Sequence, residues 1–357
     1  MACRDAVFYY KCKSMNITTV VPPTRLFIPK VTGPNTETEA TNNGSEQIVE
    51  PDVVFIPGGF GDSGHKFWMV ATPYPSGKAE YENPCIFSSD ETTTWVEPGG
   101  SGRNPIVPKP TVDGVNNDPC IVFKDGTLFI YYLLSYMTVP GDKSSYVSEL
   151  YMKYSDDGLN WSDPAGPLMT EPTDARLMSP SVFWDGSLCW LYYVNWDLNE
   201  GDSADKSVYR CSSDDGIEWS SSQQVAVTGL PAEVYPWHLN VRKDRSGSRV
   251  HMVLAADSQR GGGSCELYYG YSDDHGLTFA IEDNALLPPR EAWESDQRYR
   301  AGFVQDHADR SLFHIWYCAR HHRETDNVDD WDEAYACVRI QSNVQRQSGG
   351  PQFRKRG

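Results

Sequence analysis

The chain has 357 residues, with 31 Lys plus Arg against 49 Asp plus Glu and a formal net charge of −18. So acidic a balance excludes binders of the nucleic-acid backbone and of anionic membranes, which need clustered positive charge. No apolar run approaches the roughly 20 residues of a bilayer span. The nine Cys show no C-x-x-C spacing, which removes zinc-ribbon and redox scaffolds and predicts buried free thiols.

From the start, Met1 to Tyr10 has no apolar signal segment, so no secretory signal peptide is expected, and the location expected is a virion or the cytoplasm. Residues 1–48 read as an N-terminal extension. Its apolar runs Val7–Tyr10 and Leu26–Ile28 predict packing on the main body or on a neighbouring subunit, and Thr36–Ser45 reads as a polar linker. Residues 343–357, rich in Gln, Ser and Gly, read as a C-terminal tail.

Between these ends the chain repeats. Four segments align: Ser88–Trp95, Tyr154–Trp161, Ser212–Trp219 and Ser272–Phe279, with closing aromatics 66, 58 and 60 residues apart. In each, an acidic residue at the third position (Asp90, Asp156, Asp214, Asp274) precedes a turn. A period near 60 with a shared turn and a closing aromatic is the signature of propeller blades. The segments resemble the Asp-box, S-x-D-x-G-x-T-W. Such a box is structural, because Asp and Ser cap the turn and Gly supplies a positive φ.

Each repeat opens with a short apolar run, turns, and continues with an aromatic and β-branched run. Examples are Pro119–Phe123 before Leu128–Tyr132, and Pro180–Trp184 before Leu188–Tyr193. Asp-Gly between such runs is a strong hairpin signal. Further openings lie at Pro51, Pro236 and Tyr299, and helical periodicity is nearly absent. The expected fold is all-β: a five-bladed β-propeller over residues 49–342, with about four antiparallel strands per blade. The last repeat has no box, so it is expected to close differently, by borrowing a strand from the N-terminal extension.

In a propeller the first strands line the axis, so their openings converge. Here they supply Glu50 or Asp52, Asp118, Glu233, Trp237, His238, Tyr299 and Arg300. Carboxylates for acid and base work, with aromatics to stack on sugar rings, suit a carbohydrate. The chain here resembles the five-bladed glycosidases of the arabinanase, xylosidase, invertase and levansucrase type, over roughly residues 49–340. The resemblance implies a glycoside hydrolase with a base or nucleophile at Asp52 or Glu50, a second Asp at Asp118 that tunes pKa and holds the sugar, and an acid at Glu233. Glu50, Arg176, Trp237, His238, Tyr299 and Arg300 would bind substrate.

Two alternatives stand beside it. One is a non-catalytic glycan- or receptor-binding propeller of a phage virion. The other is a sialidase-like enzyme, which would need Arg176, Arg300 and Arg242 or Arg320 to grip one carboxylate. The expected partner is an oligo- or polysaccharide, with neighbouring subunits of an assembly as further candidates. No nucleic acid, membrane, cofactor or metal is expected. The run His321 to Glu333 lacks the spacing of a calcium loop and reads as a solvated acidic loop.

Overall fold

The computed structural model describes residues 15–31, 46–142, 145–170, 175–197, 206–247, 249–257, 264–323 and 328–342. The expectations for Val7–Tyr10, the linker Thr36–Ser45 and the tail 343–357 fall outside the described residues. The architecture is all-β. In chain order the strands are β1 (Met15–Arg25), β2 (Ile48–Phe60), β3 (His65–Pro73), β4 (Cys85–Ser89), β5 (Gly114–Lys124), β6 (Thr127–Met137), β7 (Tyr146–Ser155), β8 (Ala165–Thr170), β9 (Ala175–Trp184) and β10 (Cys189–Asp197). They continue as β11 (Lys206–Ser213), β12 (Gln223–Thr228), β13 (Tyr235–Lys243), β14 (Val250–Asp257), β15 (Cys265–Ser272), β16 (Thr278–Ala285), β17 (Gln297–Gln305), β18 (Leu312–Arg323) and β19 (Val328–Ser342).

These strands form antiparallel meanders: β2-β3-β4, β5-β6-β7-β8, β9-β10-β11-β12, β13-β14-β15-β16 and β17-β18-β19-β1. A short parallel pairing, Val227 opposite Phe279, joins β12 to β16. The first strands pack in a cycle, β2 on β5, β5 on β9, β9 on β13, β13 on β17 and β17 back on β2. That closed ring is what makes the molecule a β-propeller. Apolar cores fill the gaps between successive sheets, for example Cys120, Leu133, Leu191 and Tyr193 between the second and third.

Local chemistry explains the hairpins. Asp125 and Gly126 both hold positive φ, 52° and 86°, the pair of left-handed residues that a tight β5–β6 turn needs. A Ser and an Asp cap the turn after the third strand in the second, third and fourth sheets, with a shift of phase. The caps are Ser155 with Asp157 and Ser213 with Asp215, one residue later than the sequence alignment placed them, whereas Ser272 and Asp274 stand where expected. The cause is a turn one residue shorter in the second and third sheets. There the Gly N–H donates to a Ser three residues back, against four in the fourth sheet. Each closing aromatic reaches the core shared with the preceding sheet, as Trp219 and Phe279 do.

β1, from the segment read as an extension, is the outermost strand of the last sheet. It runs antiparallel to β19, with Ile17 opposite Ile340 and Thr24 opposite Tyr335. The acidic run is corrected outright. Residues 328–333 belong to β19, and Asp330, Asp332 and Glu333 are fully buried. Arg25 of β1 stands 3.5 Å from Asp332, so the strand that covers this edge also brings a cation to it. The seven described cysteines, including Cys85, Cys120 and Cys318, are buried free thiols, as their apolar settings predict.

Candidate functional site

Each first strand is interrupted by a slip in its pairing with the second strand of its sheet. Pairing slips between Val49 and Asp52 on β2, Asn117 and Cys120 on β5, Pro236 and His238 on β13, and Arg298 and Ala301 on β17. On β9 the slip falls at Ser179 and Pro180. Glu50, Asp118 and Ser179, each just before a proline, take φ of 63°, 52° and 50°. A non-glycine residue there carries roughly 1–3 kcal/mol of strain, and such positions cluster at functional sites. The bulge is the device that turns a strand residue into the mouth.

The bulges lock to one another from sheet to sheet. The Asp118 N–H donates to Glu50 Oε2 at 2.7 Å, and the Ser179 N–H donates to Asp118 Oδ2 at 3.1 Å. The Leu239 N–H of β13 then donates to Ser179 Oγ at 3.0 Å. Arg300 fills the axis with no exposed surface. It donates to Asp118 Oδ1 at 2.8 Å and to the carbonyls of Pro119 and Pro180. His238 Nδ1 stands 3.1 Å from Asp118 Oδ1, and its ring packs edge-on against Tyr299 with centroids 4.3 Å apart. Trp237 Nε1 donates to the Tyr299 hydroxyl at 3.1 Å.

The electrostatics set the protonation states. Burial, Asp118 and Glu82 push the Glu50 carboxyl well above the usual range, against the pull of Arg300. Glu82 is likewise raised, by burial first and then by Asp118, against Arg176. For Asp118 burial works upward, but His238, Arg300 and the Ser179 N–H outweigh it and hold the carboxyl well below its usual value. Burial lowers His238, assisted by Arg300 and Lys206, and it raises the Tyr299 hydroxyl, assisted by Glu50 and Asp118. The site therefore sets two carboxyls held above their usual range, Glu50 and Glu82, beside one held below it, Asp118.

Ligand atoms of Glu50, Asp118 and His238 lie within 4.8 Å of one another. Two carboxylates and an imidazole are a donor set that a divalent transition ion accepts. His238 Nε2 is buried without a hydrogen-bond partner among the described residues, as a ligating nitrogen would be. Although no metal was expected, these residues fit one.

The structure thus joins Glu50, Asp118, His238, Tyr299 and Arg300, with Trp237 beside them. Arg300 is sealed in the wall, where it holds Asp118 rather than facing substrate. Asp52 lies deeper on β2, fully buried, and accepts from Val53 N, Ile121 N, Asn240 and Arg242, so between the two rivals Glu50 is the one at the mouth. Glu233 is exposed in the turn ahead of β13 and does not enter the buried cluster. Arg176 lies toward the rim, where it donates to the Tyr146 hydroxyl at 2.8 Å.

The arginines of the sialidase-like alternative do not share a target. Arg300 pairs with Asp118, Arg242 with Asp52, and Arg320 with Asp296 and Asp329. Sequence reasoning missed Glu82, Tyr74 and Trp331. Tyr74 and Tyr299 both pack against Trp331 with centroids 5.4 Å apart, extending the aromatic wall. Nothing in the sequence marked Trp331, because it stands within a run of acidic residues.

No protein-family model matches the chain. Over 317 residues it is 25% identical to an A type blood N-acetyl-alpha-D-galactosamine deacetylase of Flavonifractor plautii, covering 77% of this chain. The chain spans 40% of the length of that curated relative. A crystal structure of an N-acetylgalactosamine deacetylase from F. plautii, in complex with blood group B trisaccharide, superposes with a TM-score of 0.73 at 21% identity. That match covers 91% of this chain and 95% of the other. A thermostable family-43 glycoside hydrolase gives 0.56 at 14% identity, over 88% of this chain and all of the other. A family-32 β-fructofuranosidase of Bombyx mori also gives 0.56, at 13% identity, over 84% of this chain and 61% of the other. The shared feature is the propeller fold.

Proposed function

We propose that the protein is a glycan-directed hydrolase that removes the acetyl group from an acetamido sugar. The observation that carries this is the convergence of Glu50, Asp118 and His238 within 4.8 Å in an aromatic mouth. A glycosidase of the type the sequence resembles needs a proton donor from a further blade. Here the third sheet presents Ser179 at the phase of Glu50 and Asp118, and Glu233 stands exposed in its turn. The likeness to a deacetylase over most of the chain supports the same choice.

Amide hydrolysis adds water across the C–N bond: hydroxyl goes to the acetyl carbon and a proton to the departing nitrogen, giving acetate and an amine. A divalent ion held by Glu50, Asp118 and His238 would polarise the acetyl carbonyl and acidify water. Glu82, buried beside Asp118 with its carboxyl raised, is tuned to take the water proton and return it to nitrogen. Tyr299 keeps its phenolic proton, and because Trp237 Nε1 already donates to its oxygen, that proton is available to the developing oxyanion. Asp118, fixed by Arg300, orients His238.

A second reading keeps glycosidic cleavage, favoured by the pairing of a raised Glu50 with an ionised Asp118. Incubation with N-acetylated oligosaccharides separates the two. Acetate without new reducing ends supports deacetylation, and reducing ends without acetate overturn it in favour of glycosidic cleavage.

A further inference from the structure

On the rim of the mouth two cations share one aromatic cage. Lys206, at the start of β11, is 7% exposed. Its ammonium lies 3.4 Å from the ring centroid of Trp237 and 5.0 Å from that of Trp196. The Arg176 guanidinium lies 3.9 Å from the Tyr146 centroid and 5.7 Å from that of Trp196. The two indoles are themselves 5.6 Å apart.

Neither Lys206 Nζ nor Arg176 Nε has a hydrogen-bond partner among the described residues, although both are buried. Asp257 acts on the Lys206 ammonium through space, while the groups packed on that ammonium are the two indoles. Arg298 and Arg300, by contrast, are each bonded directly to a buried carboxylate. The cage is continuous with the reacting centre, because Trp237 bonds to Tyr299, Lys206 acts electrostatically on His238, and Arg176 acts on Glu82.

We propose that Arg176, Lys206, Trp196 and Trp237 form a subsite for an acidic sugar, a pyranose bearing a carboxylate, next to the acetamido sugar being hydrolysed. The two cations answer the carboxylate, which the planar guanidinium takes in matching geometry, and the indoles that carry them border the sugar ring. The inference rests on the acetamido-sugar reading for the neighbouring residue only, and its test does not depend on turnover.

Calorimetric titration with a tetrasaccharide alternating glucuronate and N-acetylglucosamine is compared with its carboxyl-reduced counterpart. The parent protein should bind the acidic form about tenfold more tightly, the scale of one charge-assisted contact. Lys206→Met keeps the aliphatic stem and should lose that preference while binding the reduced form as the parent does. Arg176→Gln provides the same comparison if the first variant fails to fold. Equal binding of both forms by the parent, or equal weakening of both in a folded variant, overturns the subsite. Acidic preference without acetate release upholds the subsite and removes the hydrolytic reading. Acetate release with no preference upholds hydrolysis and removes the subsite.

Discussion

The Asp118 N–H donates to Glu50 Oε2 at 2.7 Å, so the bulge that carries one carboxylate of the mouth also fixes the other. Both residues depend on left-handed backbone before a proline, and neither could shift without the other. The site is therefore a property of the ring of bulges rather than of loops laid over it.

Glu50→Gln should retain the bond from Asp118 N–H, because the amide oxygen still accepts. Acetate release should fall by two or more orders of magnitude, as expected when a ligand of the proposed ion is weakened, with the melting temperature within a few degrees of the parent. Asp118→Asn should behave differently. It strips Arg300 of a buried counter-charge and should cost about 3–5 kcal/mol of stability as well as activity. Chemical denaturation beside rate measurement tests both, and an Asp118→Asn protein as stable as the parent would refute the role given to Arg300.

Most of the fold was legible because its signals are local. Asp-Gly turns, closing aromatics and a 60-residue recurrence lie within single sheets, and the opening residues Asp118, His238 and Tyr299 share one phase. What was not legible depends on contacts distant in sequence. Glu82 comes from an irregular segment between β3 and β4, outside any strand phase. Asp330 to Glu333 look like a solvated charge run until β19 is paired with β1 and β18. Glu50 and Asp52 are separable only once Arg242 and Asn240, from the opposite side of the ring, are seen to occupy Asp52.

Two glycines with nearly equal backbone angles distinguish strain from crowding. Gly126 (φ 86°) has open space where a Cβ would point, whereas a Cβ on Gly276 (φ 82°) would lie 2.0 Å from the Tyr192 hydroxyl. Gly126→Ala should cost about 1 kcal/mol, the price of a left-handed Ala. Gly276→Ala should cost at least 2 kcal/mol more, because the Tyr192 hydroxyl donates to the Gly276 carbonyl and cannot move freely. Equal midpoints of urea unfolding for the two variants would count against this packing.

Glu333 gives a pH signature. Burial alone raises its carboxyl well above the usual value, and its oxygens have no hydrogen-bond partner among the described residues. Its folded pKa exceeds its unfolded one, so between them the unfolded chain has released a proton that the native state still holds. Stability falls as pH rises through that window, by up to about 1.4 kcal/mol per pH unit. Glu333→Gln should remove this slope, so the variant gains on the parent progressively from about pH 5 upward. Parallel stability curves for the two proteins would show that Glu333 is ionised and paired in the native state.

The three-donor set predicts a requirement for a divalent cation. Exhaustive chelation followed by removal of the chelator should abolish acetate release while leaving the circular dichroism of the folded protein unchanged, since Arg300 and the bulge hydrogen bonds hold Asp118 without help. Adding back single ions should restore activity, with nitrogen-accepting ions such as zinc, manganese or cobalt preferred over calcium, because His238 supplies one of the donors. His238→Ala should bind the restoring ion at least tenfold more weakly, measured directly by calorimetry as well as through activity. If metal analysis of the chelated protein shows far less than one ion per chain and acetate release is undiminished, the chemistry is carried by the carboxylates alone and the metal assignment fails.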